Sequence, residues 1–293
     1  MIAITGSIPA LVTPFRDGRV DADALVAFIE WQIEEGSSGL APCGTTGESS
    51  TLSITEHDQV VALTVKAAAG RVPVIAGCGS NDTAVALHHI ESAAKAGANA
   101  ALVVCPYYNK PGQAGLLAHF RYLADRSPLP IILYNIPGRS AIDMTTETMA
   151  RLAEHEQIIG VKESTGDINR ISEIRHMVGK DFLILSGNDY MTPATIAHGG
   201  HGVISVTANV APALNAKLTA AALSGDFATT LTYQDLLWPL HQALFTDASP
   251  GPTKYALALA GRMQEDTRLP VVPPSDASRA AVDAALAHAG IAL

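Results

Sequence analysis

One lysine in this chain stands where a lysine is costly. In "IIGVKEST" (158–165), Lys162 follows Ile158, Ile159, Gly160 and Val161, a run suited to a buried strand. Side chains alternate along a regular strand, so Lys162 shares a face with Gly160 and Ile158. If that face lines an interior, Gly160 leaves room beneath the amine. Desolvation there disfavours the ammonium form. A neutral amine can attack a ketone and form an imine. The same lysine could equally pair with Glu163 at a rim, and its position alone leaves both readings open.

Other polar residues end apolar runs in the same way. "GTTGES" offers Thr45, Thr46, Glu48 and Ser49; "CPYYNK" offers Tyr107 and Tyr108; "LYNIPGR" offers Tyr134 and Arg139; "SGND" offers Gly187 and Asn188. Carbinolamine collapse needs a general acid, and a phenol at Tyr134 could pass that proton. Two hydroxyls and flexible backbone N–H groups in "GTTG" suit a carboxylate. Arg139 could hold a second carboxylate through a bidentate fork. Taken singly, these are also a core tyrosine, a plain turn and a surface arginine. Taken together they describe a site that binds a 2-oxo acid and activates it as an imine. His88, His89 and Glu91 read as a solvated helix face, because only His88 and Glu91 share a face and no third ligand is evident. No metal site is expected, and His201 reads as structural.

The elements that must position these residues repeat along the chain. Eight apolar runs occur at 7–15, 39–44, 72–79, 100–108, 130–137, 158–165, 182–189 and 202–209. Most are apolar at consecutive positions, as strands buried on both faces are. Helical text lies between them. Thr55, Asp82, Asp167 and Thr192 read as N-caps, with Pro193 at a first helical position, and Gly70, Gly97 and Gly179 read as stops. Eight βα units point to an α/β fold, a (β/α)8 TIM barrel over 1–209, followed by a C-terminal helical extension over 210–293. An open doubly wound sheet fits less well, since "GCGSND" (77–82) lacks the third glycine of a dinucleotide-binding turn.

Composition narrows the function classes. Of 293 residues, 48% are hydrophobic and 16% charged, a core-rich balance that argues against disorder. A net charge of −9 with no basic cluster argues against a nucleic-acid surface. No run approaches the roughly 20 apolar residues of a membrane span. Residues 1–15 make a poor signal peptide, with no basic residue before the apolar run and with Pro9 and Pro14 interrupting it. Cys43, Cys78 and Cys105 read as buried thiols, and a cytoplasmic location is expected.

The motifs "GTTGES", "PYYN", "YNIPGR", "GVKEST", "LSGND" and "GGHGVISVTAN" resemble, in order and spacing, those of the dihydrodipicolinate synthase family, among the Schiff-base pyruvate aldolases and lyases. The resemblance covers essentially the whole chain. It implies that Lys162 forms an imine with pyruvate, whose enamine attacks aspartate semialdehyde, a step of diaminopimelate and lysine synthesis. It implies a proton relay of Thr45, Tyr134 and Tyr108, the last reaching in from a neighbouring subunit. It implies that Thr46 and Thr45 hold the pyruvate carboxylate, that Arg139 holds the semialdehyde, and that Gly187 and Ile204 line the pocket. It implies a homotetramer without a cofactor. Ser49, His57, Asn81 and Tyr107 match a lysine-effector site, but Val85 and Ile54 depart from the lysine-sensitive pattern, so weak lysine inhibition is expected. Two alternatives remain at this stage: a sialic-acid or 2-keto-3-deoxy sugar acid lyase using the same lysine, and a barrel that binds a small acid without catalysis.

Overall fold

The computed structural model describes residues 4–291, so the first three residues of the N-terminal stretch lie outside it. The strands are β1 (Gly6–Pro9), β2 (Phe15–Arg16), β3 (Arg19–Val20), β4 (Ile75–Gly77), β5 (Ala100–Val104), β6 (Ile131–Asn135), β7 (Ile158–Glu163), β8 (Leu183–Ser186) and β9 (Gly202–Ser205). The helices are α1 (Ala22–Glu34), α2 (Ile54–Ala68), α3 (Thr83–Ala96), α4 (Gln113–Ala124), α5 (Pro137–Ser140), α6 (Thr146–Ala153), α7 (Ile168–Val178), α8 (Thr192–Ala197), α9 (Pro212–Leu223), α10 (Phe227–Ala243), α11 (Gly251–Leu259) and α12 (Asp276–His288).

Seven strands form one parallel sheet in the order β1-β9-β8-β7-β6-β5-β4, and the short hairpin β2-β3 lies outside it. Residues 40 and 41 close the ring. Leu40 bridges to Val74, and Ala41 bridges to Ala10. This is the expected second strand, reduced to two residues. Pro42 has no N–H to extend the ladder, and Cys43 turns left-handed at φ 55°. The fold is therefore the expected (β/α)8 barrel.

Consecutive-apolar strands work here because each has two cores to fill. Ile8, Ile75, Leu102, Ile132, Leu185 and Ile204 fill the barrel interior. The alternate residues, such as Val103, Leu133, Val161 and Ile184, face the helices. Burial of both faces removes the polar alternation that a one-sided sheet would show.

Several local expectations need correction. Helix α2 is capped by Ser53, not Thr55, in a reciprocal capping box with Glu56. Met191 precedes α8, so Thr192 is its first residue and not its cap. Asp82 and Asp167 do cap α3 and α7. Between β6 and β7 the register slips: Ile131 pairs with Ile158, but Ile132 pairs with Gly160. One residue of β7 is thus unpaired, and Ile158 faces the helices, not the face of Lys162.

Helices α1 to α4 and α6 to α9 each pack on the next. Helix α9 packs on β1 and β9, and α10 packs on α9 and α12. Leu237, Leu240, Leu257, Val282 and Leu286 of the last three helices join the same apolar core as the helices around the barrel.

Candidate active site

Parallel register puts the strand ends at one mouth. Tyr134 stands opposite Lys162 across β6 and β7, and Lys162 stands opposite Leu185 of β8. Lys162 is 6% exposed, and its Nζ lies 4.1 Å from the centroid of the Tyr134 ring. A cation over a phenol face is attractive, and the same closeness lets the amine and the ring share one reaction space.

The rim-pair alternative fails. Glu163 points the other way, to Arg170 Nε at 3.2 Å, and accepts from Asn135 Nδ2 at 3.2 Å and from the Thr165 N–H at 2.7 Å. Burial still pushes the Glu163 carboxyl up, against the pull of Arg170. Among the described residues no carboxylate pairs with Lys162. Gly160 also differs from expectation. It does not leave an empty space beneath the amine: a Cβ there would meet Leu183 Cβ and O at 2.5 Å. Its role is to let β8 approach β7 closely. Gly187 is the glycine against the lysine, since a Cβ on it would sit 3.0 Å from Lys162 Cε.

A cavity of about 240 Å³ opens beside Tyr134. Thr45, Ser49, Tyr107, Tyr134 and Arg139 are among its lining residues. The Lys162 amine sits over the ring of Tyr134, which lines this cavity. Arg139 lies on the short α5 and carries no carboxylate partner among the described residues. Thr46 is buried beside Thr45, and Ile204 is buried in the barrel interior. Tyr108 is not brought into the site by this chain. It is 88% exposed and holds φ 72°, an uncommon backbone for a bulky residue. Of the residues matched to an effector site, Ser49 and Tyr107 line the cavity, Asn81 accepts from Asn109 through its backbone oxygen, and His57 is buried with its ring against His89.

The loop bearing Thr45 and Thr46 is held by contacts that the sequence did not reveal. Cys43 and Glu48 both adopt left-handed backbone at its two ends. The Glu48 carboxylate meets Lys254 Nζ at 2.5 Å and accepts from the Arg268 N–H at 2.9 Å. Arg268 Nη1 donates to Thr51 O at 2.8 Å and to Glu56 at 2.9 Å. Lys254 lies in helical text where a lysine is easily solvated, yet it is wholly buried. Burial pulls its ammonium down, with Glu48 opposing. The available signal was slight: one lysine in the apolar helix text "PTKYALALA".

The family model "Dihydrodipicolinate synthetase family" matches residues 3–289. The chain belongs to this family. A relative from Rhizorhabdus wittichii named 4-hydroxy-tetrahydrodipicolinate synthase is 59% identical, over 98% of this chain and 99% of its own. A synthase of the same name from Cereibacter sphaeroides is 56% identical, over 98% and 99%. The crystal structure of dihydrodipicolinate synthase from Aquifex aeolicus superposes with TM-score 0.97 at 43% identity, covering 99% of both chains. That of the Acinetobacter baumannii synthase, chloride-inhibited and complexed with pyruvate, superposes with TM-score 0.97 at 40% identity, covering 99% of this chain and 100% of the other.

Proposed function

We propose that this chain is a 4-hydroxy-tetrahydrodipicolinate synthase that condenses pyruvate with L-aspartate 4-semialdehyde, a lyase of diaminopimelate and lysine synthesis. The observation that carries the reading is Lys162: a buried amine without a carboxylate partner, 4.1 Å from the Tyr134 ring. Such an amine gains nothing from an ion pair and is free to act as a nucleophile.

Lys162 Nζ attacks the ketone carbon of pyruvate, and the carbinolamine loses water to give an imine. Tyr134, with Thr45 beside the cavity, passes the protons. Loss of a methyl proton gives an enamine, whose carbon bonds to the aldehyde carbon of the semialdehyde. The amine of the new chain then attacks the imine carbon, closes the ring and expels Lys162. Thr46 and Thr45 hold the pyruvate carboxylate, Arg139 the carboxylate of the semialdehyde, and Gly187 and Ile204 shape the pocket. Tyr108 completes the relay in a neighbouring copy, within a homotetramer. All proton and bond changes are assigned to side chains and substrates, so the proposed reaction calls for no cofactor.

Borohydride reduction with pyruvate, followed by mass spectrometry, tests this. The expected product is one adduct of reduced pyruvate on Lys162, absent in Lys162→Ala. An adduct elsewhere, or none, would sink the reading. Turnover with sugar aldehydes but not with the semialdehyde would assign a different acceptor.

A further inference from the structure

Three ligand-type side chains meet between α2 and α3. His57 and His89 stack with ring centroids 3.8 Å apart, and Asp58 Oδ1 lies 3.8 Å from His57 Nδ1. One ligand atom from each of the three lies within 4.8 Å of the others, the one such group among the described residues. His57 is 3% exposed and His89 8%, while Asp58 reaches partly to solvent.

The hydrogen bonds define what this group lacks. His57 Nε2 lies 2.7 Å from the Gly77 carbonyl oxygen, which can only accept. The proton must therefore sit on Nε2, and a neutral ring then presents a bare lone pair at Nδ1. That Nδ1, Asp58 Oδ1 and His89 Nδ1 are all buried without a hydrogen-bond partner. Three adjoining orphaned atoms, two of them able only to accept as arranged, are costly unless something positive lies between them.

We propose that His57, Asp58 and His89 bind one divalent cation of the zinc class between α2 and α3. The ligand set is imidazole, imidazole and carboxylate, which suits Zn²⁺ and its neighbours rather than Mg²⁺ or Ca²⁺. A tetrahedral ion with ligands at about 2.1 Å spaces them about 3.4 Å apart, so binding would draw the ligand atoms together and splay the two stacked rings. The Gly77 carbonyl supplies the outer partner that fixes the tautomer of a ligating histidine. Partial exposure of Asp58 gives the ion an entry path and a water for the fourth position. The sequence suggested no such site because His88 and His89 read as solvated. In fact His88 is half exposed, and His89 turns inward to α2.

The test uses the full chain, stripped by chelator and then titrated with Co²⁺ and Zn²⁺, read by absorbance and calorimetry. One equivalent should bind, with cobalt d–d bands and no thiolate charge-transfer band. Asp58→Asn and His89→Gln should each weaken binding by more than about 100-fold, because loss of an outer partner alone costs 10–100-fold. Both variants should keep their metal-free unfolding temperature near that of the parent, which separates ligand loss from misfolding. Failure of the parent chain to take up one equivalent overturns the proposal. So does uptake that both variants retain. Nitrogen NMR that finds His57 Nδ1 protonated with metal present also overturns it, and assigns an imidazolium–carboxylate pair instead.

Discussion

At the scale of the residue, the question is how one amine is kept both buried and unpaired. Lys162 ends β7 next to Tyr134, while its neighbour Glu163 points to Arg170 on the other side of the strand. Strand alternation thus separates a charge pair that adjacent sequence positions suggest. If Tyr134 is the proton carrier, Tyr134→Phe removes the hydroxyl but keeps the ring over the amine. Its kcat should fall by about 10²–10⁴-fold, the usual worth of a positioned acid–base group. The pyruvate adduct on Lys162 should still be trappable, only more slowly. Steady-state rates and single-turnover trapping together check this, and unchanged kcat would remove Tyr134 from the relay.

At the scale of the element, the loop 44–47 is tied down by the far C-terminal part of the chain. Lys254 of α11 and the segment around Arg268 both grip Glu48, and both cations also lie over the Phe15 ring, at 4.1 and 4.3 Å. Removing one partner of a buried pair strands the other charge. Lys254→Met should therefore cost about 3–5 kcal/mol in urea unfolding, and Glu48→Gln added to it should restore part of the loss. A full additive loss in the double variant would show that the two do not act as a pair. The neighbouring contact between Arg268 and Glu56 carries a pH signature. Arg268 holds the Glu56 carboxyl at about 2, below its ordinary 4.5. A carboxyl depressed by folding adds stability that is complete above about pH 4.5 and is lost as pH falls through about 2. The stability gap between the parent and Glu56→Gln should therefore narrow over that window. Thermal unfolding across pH measures it, and a gap independent of pH would contradict the assignment.

At the scale of the whole molecule, two exposed features of this chain bear on the proposed homotetramer. Tyr108 stands almost fully exposed in a constrained backbone, next to Tyr107, which lines the cavity. On α10 and just beyond it, Phe227, Leu231, Trp238 and Phe245 are each close to half exposed, at spacings of four and seven that make one stripe. Tyr190 packs edge-on against Trp238 and extends the patch. An apolar stripe of this size is suited to burial between copies. Sedimentation should give a mass of four chains, and Trp238→Asp should shift it to a smaller assembly. A monomeric parent with full activity would remove both the tetramer and the shared tyrosine.

How much of this was legible in the sequence follows from distance along the chain. The barrel was legible because doubly buried strands leave consecutive apolar runs, and capping residues mark several of the helices between them. Lys162, Tyr134, Thr45 and Arg139 were legible as candidates because a barrel brings the ends of its strands to one mouth, so position within a run already implies place in the molecule. The register slip at β7, the filling of the space at Gly160 by Leu183, and the inward turn of His89 were not legible. Each depends on which neighbour packs where, and apolar runs permit more than one register. The same holds for Glu48 and Lys254, which are separated by most of the chain but meet at 2.5 Å. Local pattern determined the elements and the candidate chemistry of the mouth. Only the tertiary structure decided which charges are paired and which polar atoms are left without partners, because those depend on contacts between segments that sequence spacing does not encode.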